Sequence, residues 1–205
     1  MQIEFLVKKV ELLKALSRLD YLGKKIEDKT TFESLRGIEG SASRWYWGSI
    51  SIALQKHVQF KGRDKRQPKD QFNKCLNYMY GILYGIVESS LLMVGLDPYI
   101  GIYHIIRHDR PTLAYDHIEP FRPWVDNSLM HIFLERGINE DCFEEESGLI
   151  NSTTRKMLVE RFFKDMDLKS ILNNKKIKRI DHIHYLSQLL VKNVRGIDED
   201  ENYML

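Results

Sequence analysis

Ile3, Leu6, Val7, Val10, Leu13, Leu16 and Leu19 recur at three- and four-residue intervals, with lysines and glutamates between them. That is the period of an amphipathic helix, predicted over residues 2–22 and ended by Leu22-Gly23. A hydrophilic connector, Lys24–Lys29, leads to a second helix from about Phe32 to His57, with Thr30 and Thr31 as N-cap candidates and Glu33 and Glu39 on its early turns. Pro68 and Asp70 open a third helix, Asp70–Val94, whose apolar content is nearly all-round and which therefore belongs at the core. Asn73, Asn77, Tyr80, Tyr84 and Glu88 form a polar stripe along it, and polar groups on a buried helix must find partners. Gly95-Leu96-Asp97-Pro98 is a turn. Further on, helices are expected over Trp124–Glu135, Arg155–Asp165 and Ile180–Val194. An acidic loop at 138–154 supplies Asn151-Ser152-Thr153-Thr154 as cap material, and the tail from Gly196 is expected to fray. No repeat, strand-rich region or low-complexity linker interrupts the pattern. The expectation is an all-α chain: one helical domain over residues 1–205, built around the helix at about 70–94. Residues 1–30 form a leading helix and connector, 31–123 carry the candidate chemistry, and 124–205 are C-terminal helices.

Composition changes this picture little. The chain has 205 residues, 43% hydrophobic and 29% charged, which is the balance of a globular protein with room for one core. No apolar run approaches the roughly 20 residues needed to span a bilayer. Glu4, Lys8, Lys9 and Glu11 break up any signal-peptide core, so a cytoplasmic location is expected. Cys75 and Cys142 lack a C-x-x-C neighbour and read as buried free thiols rather than a disulfide or zinc site. The net charge of +2 is small but uneven. Lys56, Lys61, Arg63, Lys65, Arg66 and Lys69 make one basic loop, and Lys175, Lys176, Lys178 and Arg179 make a second cluster. Both suit phosphate contact, although charge runs are usually solvated faces.

Two stretches carry candidate chemistry. In Leu35-Arg36-Gly37-Ile38-Glu39-Gly40, two glycines flank a glutamate within a helical pattern, at a cost of about 1 kcal/mol each relative to alanine. Close approach of a backbone or ligand is one reading, and a kinked helix with Glu39 at the surface is the other. Arg36 and Arg44 suit either a brace for the carboxylate, a phosphate contact or a surface ion pair. Between Gly101 and Pro123, His104, Asp116 and Glu119 lie close in sequence. If a helix starts after Leu113, Asp116 and Glu119 share a face and His104 reaches from across the turn. The alternative is a loop with ordinary charges. Arg107 and Arg110 follow the histidine as candidates for neutralising phosphate.

Four blocks in order resemble the CRISPR-associated spacer-acquisition integrase family, the metal-dependent subunit of the adaptation machinery. They are Leu35-Arg36-Gly37-Ile38-Glu39-Gly40; Asn73, Asn77 and Leu83-Tyr84-Gly85; Gly95-Leu96-Asp97-Pro98 with Gly101-Ile102-Tyr103-His104; and Asp116-His117-Ile118-Glu119-Pro120-Phe121-Arg122-Pro123. The resemblance implies an all-helical catalytic domain in which Glu39, His104 and Asp116 bind a divalent cation. Glu119 would be a second carboxylate nearby, and Tyr84 would sit by the scissile phosphate. It implies joining of the 3′-hydroxyls of short double-stranded DNA fragments to a CRISPR repeat, homo-oligomers (dimers or tetramers), and a small ferredoxin-like partner subunit. Typical members carry an N-terminal β-rich domain, whereas this chain opens at the helix that would follow it. A compact member is the favoured expectation and a piece of a longer chain the alternative, and the need for the small subunit is open accordingly.

The chemistry follows from the groups. Carboxylates and imidazole without thiolate favour Mg2+ or Mn2+. A cation so held polarises a phosphoryl oxygen and activates a hydroxyl for transesterification. Arg36, Arg44, Lys61, Arg63, Lys65, Arg66, Arg107 and Arg110 are the candidate DNA contacts. The alternatives are a general metal-dependent DNA nuclease and a non-catalytic helical module that binds DNA or a partner.

Overall fold

The computed structural model describes residues 2–26, 31–102, 110–135 and 137–196. Helices dominate: α1 (Gln2–Lys24), α2 (Phe32–Leu54), α3 (Gln71–Met93), the short α4 (Thr112–His117), α5 (Arg122–Leu134), α6 (Ser152–Met166) and α7 (Arg179–Arg195). The all-α expectation holds, with one addition: a two-stranded antiparallel ribbon, β1 (Lys169–Leu172) and β2 (Lys175–Lys178), where the sequence pattern showed no strand. The chain falls into two compact units, one of Met1–Cys75 with Leu129–Cys142, the other of Leu76–Ser128 with Phe143–Leu205.

In the first unit α1 packs along α2. The buried stripe of α1 is not the one the spacing suggested. Ala15 and Leu22 are buried and Leu12 and Leu19 half-buried, while Val10, Leu13 and Leu16 face outward. Two apolar stripes lie side by side on this helix, and α2 covers one of them. Thr31 caps α2 by accepting from the Ser34 N–H at 3.3 Å, satisfying a donor that has no partner within the helix. The core of the unit is a ladder of rings. Trp47 meets Phe60 at 6.0 Å, Phe60 meets Phe72 at 4.7 Å, and Phe72 meets Phe133 at 5.3 Å, mostly tilted or edge-on as ring quadrupoles prefer. Phe72 is fully buried, and truncating it to alanine is expected to cost about 3–5 kcal/mol.

The second unit is organised on α3, where Leu76, Met79, Leu83, Val87 and Leu91 are fully buried at helical spacing. The expectation of all-round burial is corrected here, because Gly81, Gly85, Ser89 and Leu92 form an exposed strip. Gly95, at φ +80°, closes the helix as only glycine does cheaply, and the Leu96 N–H returns to the Leu91 carbonyl at 3.0 Å. α4 ends at His117, and the chain tightens into a 3₁₀ turn at Glu119–Phe121. Pro123 lies in the first turn of α5, where its missing N–H costs nothing. Asn151 caps α6 by accepting from the Thr154 N–H at 2.8 Å. Buried Ser187 of α7 joins three elements. Its hydroxyl lies 3.0 Å from Ser90 of α3 and 3.0 Å from His117 Nε2 of α4, and it donates to the Ile183 carbonyl at 2.9 Å.

Candidate active site

Glu39 stands exposed on α2, as do Arg36 and Arg44. An added Cβ at Gly37 or Gly40 would meet nothing within 4 Å, so nothing in the described chain explains these glycines as close-packing positions. What they do is keep the surface beside Glu39 low. The result is an open strip carrying one carboxylate and two guanidinium groups.

The basic loop of the first unit is built on a single buried amide. Asn73, fully buried at the start of α3, accepts at Oδ1 from Arg63 Nη1 at 2.9 Å and from the Asp64 N–H at 3.0 Å. Its amide nitrogen donates to the Gly62 carbonyl at 2.8 Å and to Asp70 at 2.7 Å. Both ends of the amide are used, so the loop's shape is fixed from inside. Of the candidate DNA contacts here, Lys61, Lys65 and Arg66 are exposed and Arg63 is half-buried. Arg63 also donates to the Asp64 carbonyl at 2.7 Å, which makes it part of the scaffold. The loop borders an open groove whose floor includes Phe133 and Ile138.

In the second unit, Asp116 is half-buried on α4, and its carboxylate accepts the Ile102 N–H at 2.8 Å. That bond holds the carboxylate to the preceding turn. His104 and Arg107 lie outside the described residues, and Arg110 is exposed just before α4. Glu119 sits in the 3₁₀ turn rather than on the helix that bears Asp116, and its carboxylate pairs with Arg122 at 2.9 Å.

Arg122 is the residue that the sequence reading passed over. Its Nη2 donates to the Tyr84 hydroxyl at 2.5 Å, and its guanidinium lies 5.2 Å from the Tyr80 ring centroid and 5.8 Å from that of Tyr84. Burial works against its charge, but the neighbouring Tyr84, Glu119 and Tyr80 hold its pKa above the ordinary arginine value. Burial likewise pushes the Tyr84 hydroxyl above the ordinary tyrosine pKa, with Arg122 opposing. Tyr84 therefore stays protonated, its oxygen engaged as an acceptor and its ring edge-on to Tyr115 at 5.1 Å. Tyr80 donates to the buried Asp126 at 2.5 Å. The signal for Arg122 was present in its position three residues after Glu119, the spacing of a helical ion pair. His182 is buried with Nε2 2.9 Å from the Ser170 carbonyl, and His184 meets Gln188 at 3.1 Å.

Glu39 belongs to the first unit and Asp116 to the second. Among the described residues no three His, Cys, Asp or Glu side chains gather at metal-ligand spacing, and His104 is not among those residues. The donor chemistry of Glu39, His104 and Asp116, two carboxylates and an imidazole, fits a hard divalent cation. The Ile102 bond to Asp116 is of the kind that orients a ligating carboxylate.

These helical units share their fold with solved structures. A casposase bound to an integration product superposes with TM-score 0.78 over 95% of this chain and 60% of its own, at 22% identity. The Cas6-RT-Cas1–Cas2 complex in partial form gives TM-score 0.80 over 94% of this chain and 59% of that one, at 27% identity. The fold is thus the helical one that these solved structures share. The family profile described as "CRISPR associated protein Cas1" matches residues 4–164, and the chain belongs to that family. Among relatives, the CRISPR-associated endonuclease Cas1 2 of Saccharolobus solfataricus is 39% identical over 63% of this chain and 40% of its own length. The chain spans about half the length of the curated relatives it matches. Among the described residues no helix is long and apolar enough to cross a membrane.

Proposed function

We propose that this chain is a divalent-metal-dependent DNA integrase and endonuclease of CRISPR adaptation, joining 3′-hydroxyl ends of short DNA fragments to a CRISPR repeat by transesterification. The observation that carries the reading is the family match across residues 4–164, which contains all four motif blocks from Leu35 to Pro123. It is supported by relatives named endonucleases and by the fold shared with a casposase bound to an integration product.

Glu39, His104 and Asp116 would hold the cation, Mg2+ or Mn2+. When bound it supplies charge stabilisation at a phosphoryl oxygen and a lowered pKa for the attacking hydroxyl. The chain's own groups do the rest. The Ile102 N–H fixes the Asp116 carboxylate. The low surface at Gly37 and Gly40 admits a bulky DNA backbone beside Glu39, with Arg36 and Arg44 countering phosphate charge. Tyr84 accepts from Arg122, which leaves its own O–H oriented to donate to a phosphate oxygen. Glu119 is the charge partner of Arg122 rather than a cation ligand. Lys61, Lys65, Arg66 and Arg110 are exposed contacts for the DNA track. Assembly as a homo-oligomer, and with a small adaptation subunit, is part of the proposal. A Cas1–Cas2 assembly is among the structures of similar fold.

Strand transfer needs a free 3′-hydroxyl and hydrolysis does not. Fragments ending in a 3′-dideoxynucleotide are expected to give no joined product from a plasmid carrying the repeat, whereas fragments with 3′-hydroxyls do. Equal plasmid cleavage with both, and no joining, would reduce the protein to a nuclease.

A further inference from the structure

The β1–β2 ribbon lies beyond residue 164, where the family match ends. Asn173 and Asn174, at φ 49° and 58°, form the two-residue left-handed turn that suits a tight hairpin. The register pairs Lys169 with Lys178, Ser170 with Ile177, Ile171 with Lys176 and Leu172 with Lys175. Because side chains alternate, one face carries Lys169, Ile171, Lys176 and Lys178, all exposed. The other carries half-buried Ser170, Leu172 and Ile177, together with Lys175, whose ammonium lies 4.0 Å from the Tyr185 ring centroid. The inner face is anchored to α7. His182 Nε2 meets the Ser170 carbonyl at 2.9 Å, and the Arg179 N–H closes on the Leu168 carbonyl at 2.9 Å.

The outer face is costly as built. Lys169 sits directly opposite Lys178, and like charges so placed destabilise a ladder. Asp167 offsets this only at Lys178, at 2.8 Å. No acidic residue occurs between Lys169 and Arg179, and Ile171 is 70% exposed among the lysines. A ribbon that sets Lys169 and Lys176 at diagonal positions of one face, attached about 7–8 Å apart on either side of exposed Ile171, is complementary to a nucleic-acid backbone.

We infer that the outer face of the ribbon is a DNA-backbone contact: Lys169 and Lys176 neutralise duplex phosphates, and Ile171 lies against the sugar edge between them. Naming DNA as the polyanion rests on the reading under Proposed function.

The test uses the full chain and a fluorescein-labelled DNA duplex, with anisotropy followed across a salt series in EDTA. The parent is expected to bind. In the double variant Lys169→Gln, Lys176→Gln the slope of log K against log salt should fall in magnitude by about 2, at about 0.9 per phosphate contact. Lys175→Gln, altered on the inner face, should keep the parent's slope. Circular dichroism melting curves matched to the parent confirm that the variants fold. The inference is overturned by a parent that does not bind the duplex, by an unchanged slope in the double variant, or by a loss seen toward a polyglutamate peptide and not toward DNA. The assay is independent of catalysis. A chain that binds through the ribbon but joins no DNA ends defeats the integrase reading and leaves this one standing. A chain that joins ends while the double variant keeps its slope does the reverse.

Discussion

Arg122 donates a 2.5 Å hydrogen bond to the Tyr84 hydroxyl, linking the start of α5 to the middle of α3 within the second unit. Arg122→Met removes that donor and the partner of Glu119 together. The expected loss is about 1.5–3 kcal/mol in urea unfolding, the range for a hydrogen bond to a charged group. Tyr84→Phe, which keeps the Arg122–Glu119 pair, should lose about 1.5 kcal/mol, the low end of that range. The pH dependence has a definite sign. The native Tyr84 pKa lies above 10.0 because burial disfavours the phenolate, so its contribution is complete below pH 10.0 and is lost as pH rises through the higher native value. A tyrosinate absorbance titration, parent minus Tyr84→Phe, should place this ionisation later than that of an ordinary tyrosine.

Glu119 pairs with Arg122, and its side chain is 49% exposed. Glu119→Gln should therefore change stability by under about 1 kcal/mol. It should leave manganese affinity, measured by calorimetry, at the parent value. A tenfold or greater fall would make Glu119 a cation ligand.

Asn73 serves four partners around the basic loop from full burial. Asn73→Leu leaves the Gly62 carbonyl and the Asp64 N–H without it. The expected cost is about 2–4 kcal/mol, with faster tryptic cleavage at Lys61, Lys65 and Arg66. Asn73→Asp places a second carboxylate against Asp70, so its penalty should shrink as pH falls toward the carboxylate range.

Burial raises the Cys75 thiol to about 12, whereas Cys142 is only partly buried and donates to Asn139 at 3.3 Å. In the native chain, iodoacetamide at neutral pH is expected to label Cys142 and spare Cys75, as mapped by mass spectrometry of tryptic peptides. Both should label in urea.

Helices were legible because their apolar periods are long. The residues predicted for the last helix, Ile180–Val194, fall within one residue of the observed Arg179–Arg195 at each end. Which stripe of a helix is buried was less legible. α1 carries Val10, Leu13 and Leu16 beside Ala15 and Leu22, and only its packing on α2 decides between them. The ribbon escaped notice because each strand has four residues and its lysines mask the alternation of Ser170, Leu172 and Ile177. The expected burial of both thiols held for Cys75 and not for Cys142. In the candidate site, the sequence blocks named Glu39, Asp116 and Tyr84 by their order, whereas Arg122, though spaced to pair with Glu119, gained a role only once the structure set it beside Tyr84 and Tyr80.

The central proposal is that Glu39 and Asp116 act on DNA ends as ligands for a divalent cation. It is tested most directly by strand transfer of a labelled 3′-hydroxyl duplex into a supercoiled repeat plasmid with Mn2+, comparing the parent with Glu39→Gln and Asp116→Asn at matched folding. The expected result is joined product from the parent and a loss of about a hundredfold or more in each variant. Joining at the parent's rate in both variants would contradict it.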